Sequence, residues 1–436
     1  MGGVKKFSLN KIAVIGLALG GLCVLPSTAV MAAEECKPKV TNPDNGENPD
    51  DGTPSTGATG GAGEFSTASA FNGIPRVSEF SEQETQETRG DCGATVGESS
   101  GTQAQEVAMT IGTKIINQRA ARKRSGNTGQ QVTAFDFQAF GGSASADADD
   151  DSLRNGSRIS LFSFGEYSER DRKGTALSSG YEQELSAFTL GFDYRLDDAT
   201  FLGMTVSGSE GESDLDSGNG GSEVSSTTLG IHGARYWGNN FVAGFLAYGS
   251  LDIDVSRSTA ADSFSASTEG DYWYGDIAVG FEENYGGLRI TPQARVLFLS
   301  GDIDAYRERS GSGAGVIRSV DSQDIDTTIL TLSVQADYPV LLSWGVLLPS
   351  MRAELISDSG DGYSSNGQTL NDADKSAIST FADQADDPDS STVSVSWGTS
   401  AQFRSGFAAY VVYERLFFHD YLDKYTATVG LRYELP

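Results

Sequence analysis

Hydrophobic and polar positions alternate with a period of two along most of the chain from Gly156 onward. The clearest instance is the last, where Tyr425, Ala427, Val429, Leu431, Tyr433 and Leu435 trade places with Thr426, Thr428, Gly430, Arg432 and Glu434. Such a stretch is a β-strand with one face toward an apolar medium and the other toward water. The same pattern predicts twelve strands, over residues 157–167, 183–195, 199–208, 222–236, 240–253, 269–283, 287–300, 323–338, 344–357, 391–403, 406–417 and 422–435. Most have the length that a tilted strand needs to cross a bilayer, and exceed the usual strand of a soluble sheet.

The connections alternate as well. After even-numbered segments they are tight: Asp197-Asp198, Gly238-Asn239, Gly286, Val340 to Ser343, and Ser405. After most odd-numbered ones they are long and polar, over 168–182, 209–221, 254–268, 301–322 and the acidic 358–390. Short turns at one rim and long loops at the other are how outer-membrane barrels are built. A propeller or solenoid would need a repeated motif, and none recurs.

Charge falls on one face only. The second segment sends Phe188, Leu190, Phe192 and Tyr194 one way and Thr189, Gly191, Asp193 and Arg195 the other. In the sixth, Trp273, Ile277, Val279 and Phe281 oppose Tyr272, Tyr274, Asp276 and Glu282; in the ninth, Leu347, Met351, Ala353 and Leu355 oppose Ser350, Arg352 and Glu354. A charge facing mid-bilayer costs about 2–4 kcal/mol, so the apolar face reads as lipid-facing and the other as a wet lumen. That lumen would hold Asp193, Asp276, Glu354 and Glu414 against Arg289, Arg295, Arg352 and Arg432. Aromatics near segment ends, namely Tyr236, Trp237, Phe241, Tyr285, Tyr338 and Trp344, predict an interfacial girdle at the short-turn rim.

The chain ahead of the barrel reads differently. Lys5, Lys6 and Lys11 precede an apolar run from Ile12 to Leu25, then Pro26 and small residues, so residues 1–33 form a secretory signal cleaved after Ala32 or Ala33. Its removal leaves 28 of the 31 basic residues against 60 acidic ones, a net charge of −32 instead of −29. Such a surface repels nucleic acid, and no nucleic-acid partner is expected. Residues 34–101 are polar and punctuated by Gly and Pro, and are expected to be disordered. In an oxidising space Cys36 and Cys92 could close one large loop there.

Residues 102–124 recover helical spacing through Val107, Ile111 and Ile115, with Glu106 near the start and Lys114, Arg119, Arg122, Lys123 and Arg124 toward the end, as the helix dipole favours. This basic helix could lie on a surface or thread an acid-lined pore; a twelve-stranded barrel encloses room for one helix. Residues 125–155 form a linker ending in an acidic run.

Candidate chemistry is sparse. His232 falls on the lumen side and His419 in a rim loop, too few ligands for a metal site. The Gly311, Gly313, Gly315 run lacks the strand-to-helix frame of a phosphate cradle, and the loop at 358–374 misses calcium-loop spacing. Asp276 and Glu354 could pair as a hydrolase dyad, but serve more simply as ion partners of lumen arginines. No catalytic residue, cofactor or metal is expected.

The order of parts resembles the translocator domain of classical, type V autotransporters. The likeness is carried by FTLGFDYRLDDATFLGMTVSGSEGE (188–212), TTLGIHGARYW (227–237) and FVAGFLAYGS (241–250), which are similar to that family's strand-turn-strand pairs. The resemblance implies an all-β fold: a twelve-stranded antiparallel transmembrane barrel over 156–436 in the Gram-negative outer membrane. It also implies a pore helix at 102–124 and residues 34–101 at the cell surface. The terminal strand, with Tyr425, Val429, Leu431, Tyr433 and Leu435, would be read by the outer-membrane assembly machinery. A monomeric barrel surrounded by outer-membrane lipid is expected; a small-solute channel and a barrel-borne hydrolase are the alternatives. Three features depart from the family: the chain ends Leu435-Pro436 in place of a terminal aromatic, no β-helical repeat precedes the helix, and the helix lacks the Asn-Asn pair associated with self-cleavage.

Overall fold

The computed structural model describes Glu106 and residues 158–175, 180–216, 220–360, 364–384 and 391–435. Twelve long strands make up the wall: β1 (Ile159–Arg172), β2 (Tyr181–Arg195), β3 (Thr200–Leu215), β4 (Gly220–Trp237), β5 (Asn240–Ser258), β6 (Ser263–Phe281), β7 (Leu288–Ile303), β8 (Gln323–Asp337), β9 (Gly345–Asp358), β10 (Thr392–Phe403), β11 (Phe407–Phe417) and β12 (Leu422–Glu434). Each pairs antiparallel with its neighbours in the chain. β12 returns to β1, with Ser160 opposite Glu434 and Arg172 opposite Leu422, and the ring closes. Each of the twelve expected segments is thus a stave. Closure leaves the wall without an edge, the condition for a sheet in lipid. Gly238 and Gly286, with φ of 60° and 63°, make two of the tight turns in a conformation that costs other residues a steric penalty.

The faces follow the alternation. Leu229 is 57% exposed while Thr228 beside it is 3% exposed, the reverse of a water-soluble protein. Phe188, Leu190, Phe192, Trp273, Ile277 and Met351 likewise point out, while Thr189, Asp193, Asp276, Arg352 and Glu354 are buried inside. The interior is not uniformly wet: Phe162, Phe164, Phe245, Tyr272, Tyr274 and Tyr410 belong to one packed inner cluster. The girdle holds for Trp237, Tyr285, Tyr338 and Trp344, all exposed. Tyr236 and Phe241 are instead buried, because they stand opposite each other one position off Trp237 and share the inward parity.

Two of the expected loops are structured. Tyr306–Arg307, Val316–Val320, Ser364–Asn371 and Ala377–Gln384 pair into a four-stranded sheet at the long-loop rim. Phe264, Ile317 and Leu370 form a small core there. Arg257 at the end of β5 fastens it, donating to both carboxylate oxygens of Glu308 at 3.0 and 2.7 Å. The Gly311 to Gly315 turn wraps Asp262, whose carboxylate accepts the hydroxyls of Ser310 and Ser312; these bonds hold its pKa down to about 2. The signal, Cys36, Cys92, the helix cations Lys114, Arg119, Arg122, Lys123 and Arg124, the linker and Pro436 lie outside the described residues.

Candidate functional site

The lumen collects the charges that the strand parity assigns to it, and register decides which meet. Arg432 on β12 reaches Asp193 on β2 at 3.2 Å and donates to Ser160 on β1 at 2.6 Å. Arg295 on β7 stands 3.7 Å from Asp276 on β6, which also accepts the Tyr274 hydroxyl at 3.0 Å. On β9, Arg352 bonds Glu354 at 2.7 Å and the Ser333 hydroxyl at 2.9 Å. Arg289 pairs at 3.3 Å with Asp337, a partner directly opposite it on β8 that joins the lumen charges expected from strand parity. Glu414 on β11 accepts the Ser394 hydroxyl at 2.9 Å.

Asp193 is also the partner of His232, with Nε2 2.8 Å from Oδ1. The two side chains meet across β3 because Gly203 stands between them in register; a Cβ there would collide with the imidazole. Ser160 completes a Ser, Asp, His set, but its hydroxyl donates to Asp193 at 3.2 Å. The carboxylate therefore lies between hydroxyl and imidazole, and His232 is not placed to act as the base that nucleophilic catalysis requires. Among the described residues no group of three or more His, Cys, Asp or Glu is arranged to hold a metal ion.

The second feature lies nearer the long-loop mouth. Glu106, in helical conformation and 2% exposed, is inside the barrel. Its carboxylate meets Arg170 of β1 at 3.0 Å and Lys424 of β12 at 2.9 Å, and accepts the Ser168 hydroxyl. Burial by itself would raise its pKa, but Lys424, Arg170 and Ser168 together bring it down to about 2. In the sequence Glu106 shows only its place near a helix start. Its partners lie more than sixty positions away, so no local pattern announces them.

The terminal strand presents Val429, Leu431 and Tyr433 to the outside. Tyr425 stands on the same outward face and donates its hydroxyl to Glu169, and the Leu435 N–H reaches the Ile159 carbonyl at 3.1 Å.

The autotransporter beta-domain family model matches residues 161–414. Over 263 residues the chain is 26% identical to the putative uncharacterized protein YaiT of Escherichia coli strain K12, a match covering 58% of this chain and 25% of that protein. The chain thus spans about a quarter of the length of that relative. Among solved structures, the translocator domain of autotransporter NalP from Neisseria meningitidis shares the fold with a TM-score of 0.50 at 16% identity, covering 65% of this chain and 91% of that one. The β-domain of the Bordetella autotransporter BrkA aligns with a TM-score of 0.49 at 17% identity, over 64% of this chain and 100% of that one.

Proposed function

Because the chain belongs to the autotransporter β-domain family, and is therefore an autotransporter barrel of the Gram-negative outer membrane, we propose that it exports and displays its own N-terminal segment, residues 34–101. The observation that supports this is the position of Glu106. Its partners Arg170 and Lys424 lie within two residues of the long-loop ends of β1 and β12, at Arg172 and Leu422. Ile159, where β1 begins, is at the opposite rim. The chain is inside the mouth at 106 and at the short-turn rim by 159, which supports a crossing of the barrel between them. On this reading the segment ahead of Glu106 is displayed beyond the long-loop mouth, the extracellular side of such barrels.

Residues 102–124 are, on this reading, a plug held in the lumen, and β12 is the strand that the assembly machinery recognises. Barrels of this family are generally not enzymes, and the lumen charges act as partners for one another and for the plug. Protease added to intact cells should trim an epitope placed between Cys36 and Gly101 and leave the barrel whole; full protection would sink the reading. A small-solute channel is the competing function. It predicts high conductance of the intact chain, whereas the display reading predicts low conductance that rises when residues 102–124 are deleted.

A further inference from the structure

The outer wall is hollowed by a groove of about 940 Å³ that runs from the β4–β5 turn across to β10. Its floor is a row of opposed, inward-facing positions, Gly280, Gln293, Ser333 and Glu354. Its banks are outward positions on either side of that row: Pro292 and Ala294 on β7, Leu332 and Val334 on β8, Ala353 and Leu355 on β9. Alanine on two neighbouring outward rows is what makes the surface concave.

A break in the sheet lies at the same place. Pro292 has no N–H to give, and the ladder between β6 and β7 stops at Gly280–Gln293, resuming only at Glu283–Ile290 in the hairpin below. The Glu282 N–H continues the ladder with β5, donating to the Asn239 carbonyl at 2.9 Å, so β6 stays paired on that side of the break. The wall is nevertheless sealed from within, because the Phe241 ring lies against Gly280, where a Cβ would come 2.5 Å from its Cζ. The groove therefore opens outward and not to the lumen.

Five inter-strand steps of about 4.8 Å, from β5 to β10, make it roughly 24 Å long. It also climbs. At one end Trp237 and Phe281 stand at the short-turn rim, while at the other Val393 lies ten residues before Phe403, the short-turn end of β10.

We propose that this groove seats one acyl chain of a phospholipid from the periplasmic leaflet, with the headgroup at the short-turn rim beside Trp237 and Asn240 and the tail running up toward Val393. The proposal rests on the reading that the exposed apolar wall faces lipid. The groove is continuous with that wall, its banks are apolar, and its length exceeds the ~15 Å depth of one leaflet, which suits a whole tilted chain. The short-turn rim is the periplasmic side, and this selects the leaflet.

The test uses the full-length protein in phosphatidylethanolamine vesicles doped with a phospholipid that carries a diazirine in its acyl chain. After irradiation, label on Ala294, Val334 and Ala353 should exceed that on Leu190, Phe192 and Leu229 of the β2 and β4 wall by about fivefold, the mark of a modest site preference. Ala294→Trp should bring groove labelling down to the level of the other wall, with the heat-modifiable folded band unchanged; Ala353→Met serves the same purpose if the first variant fails to fold. Equal label around the barrel, or groove label unaltered in a folded filled variant, overturns the site. Equal label when the probe is confined to the outer leaflet overturns the assignment of source. Absence of label from every outward residue refutes the lipid-facing reading itself, and this one with it.

Discussion

Replacing Glu106 with Gln should unlatch the lumen. The carboxylate is 2% exposed and holds two cations, Arg170 at 3.0 Å and Lys424 at 2.9 Å. Its pKa is about 2 against an ordinary 4.5, and that depression is equivalent to about 3 kcal/mol of preference for the latched state. Breaking a buried ion pair by removing one member costs about 3–5 kcal/mol, so two routes give similar magnitudes. A loss of about 3 kcal/mol is roughly a 150-fold shift in occupancy. In planar bilayers, openings of the Gln variant should therefore be on the order of a hundred times more frequent than those of the wild type.

The sign of the pH dependence is fixed by the same depression. A folded-state pKa below the ordinary value means that the stabilisation is complete above pH 4.5 and is lost as pH falls toward 2. Wild-type conductance should thus be flat from pH 8 to about pH 5 and rise only under stronger acid, while the Gln variant should be open across the range. A Gln variant as quiet as the wild type, or a wild type that opens between pH 7 and 6, would refute the latch.

Further expectations concern the wall and the cap. Val429→Arg places a charge on the lipid face of β12 and should cost about 2–4 kcal/mol, read as a smaller folded fraction by heat modifiability in vesicles; an unchanged fraction would show that this face does not meet lipid. Gly203→Ala should push His232 off Asp193 and lower stability by about 1–3 kcal/mol in urea, a loss that His232→Ala should relieve only in part, because the new Cβ would also stand 2.5 Å from the Phe192 carbonyl; fully additive losses would deny the steric link to His232. Arg257→Ala leaves Glu308 buried without its forked partner, about 3–5 kcal/mol confined to the rim sheet. Amide exchange at Val316–Val320 should then quicken while β2 and β3 stay protected, and an even response through the barrel would count against a separate cap.

How much of this was legible in the sequence depends on what each part answers to. The staves were, since lipid on one side imposes a strict period of two that turn lengths then confirm. Pairings inside the lumen were legible as parity but not as partners. Arg289 and Asp337 are opposed because the ladder between β7 and β8 runs in one register from Ile303–Gln323 down to them, and Arg295 reaches Asp276 although Leu297 is the residue opposite it. Glu106 was legible only as a helix residue. Its ion pairs join positions brought together by closure of β12 onto β1.

The strand ends carry the most instructive difference, because the pattern there does not stop but inverts. On β5 the outward positions pass from Leu246 and Tyr248 to Asp252 and Asp254, which are exposed and charged. The inward ones pass to Leu251, Ile253 and Val255, which are buried. Reading for an apolar outer face ends the segment at 253, whereas the strand continues to Ser258. Above that crossover the barrel obeys the rule of a soluble protein, with water outside and an apolar core within. Below it the outside is lipid. The inversion between Tyr248 and Asp252 therefore marks the outer boundary of the hydrocarbon layer on this stave, and Trp273, opposite Tyr248 and exposed beside it, sits where an interfacial aromatic belongs. The buried Arg257–Glu308 fork and the rim sheet then lie wholly in the aqueous part, which is why loop polarity concealed them: polar, Gly-rich sequence is equally what short strands facing water require.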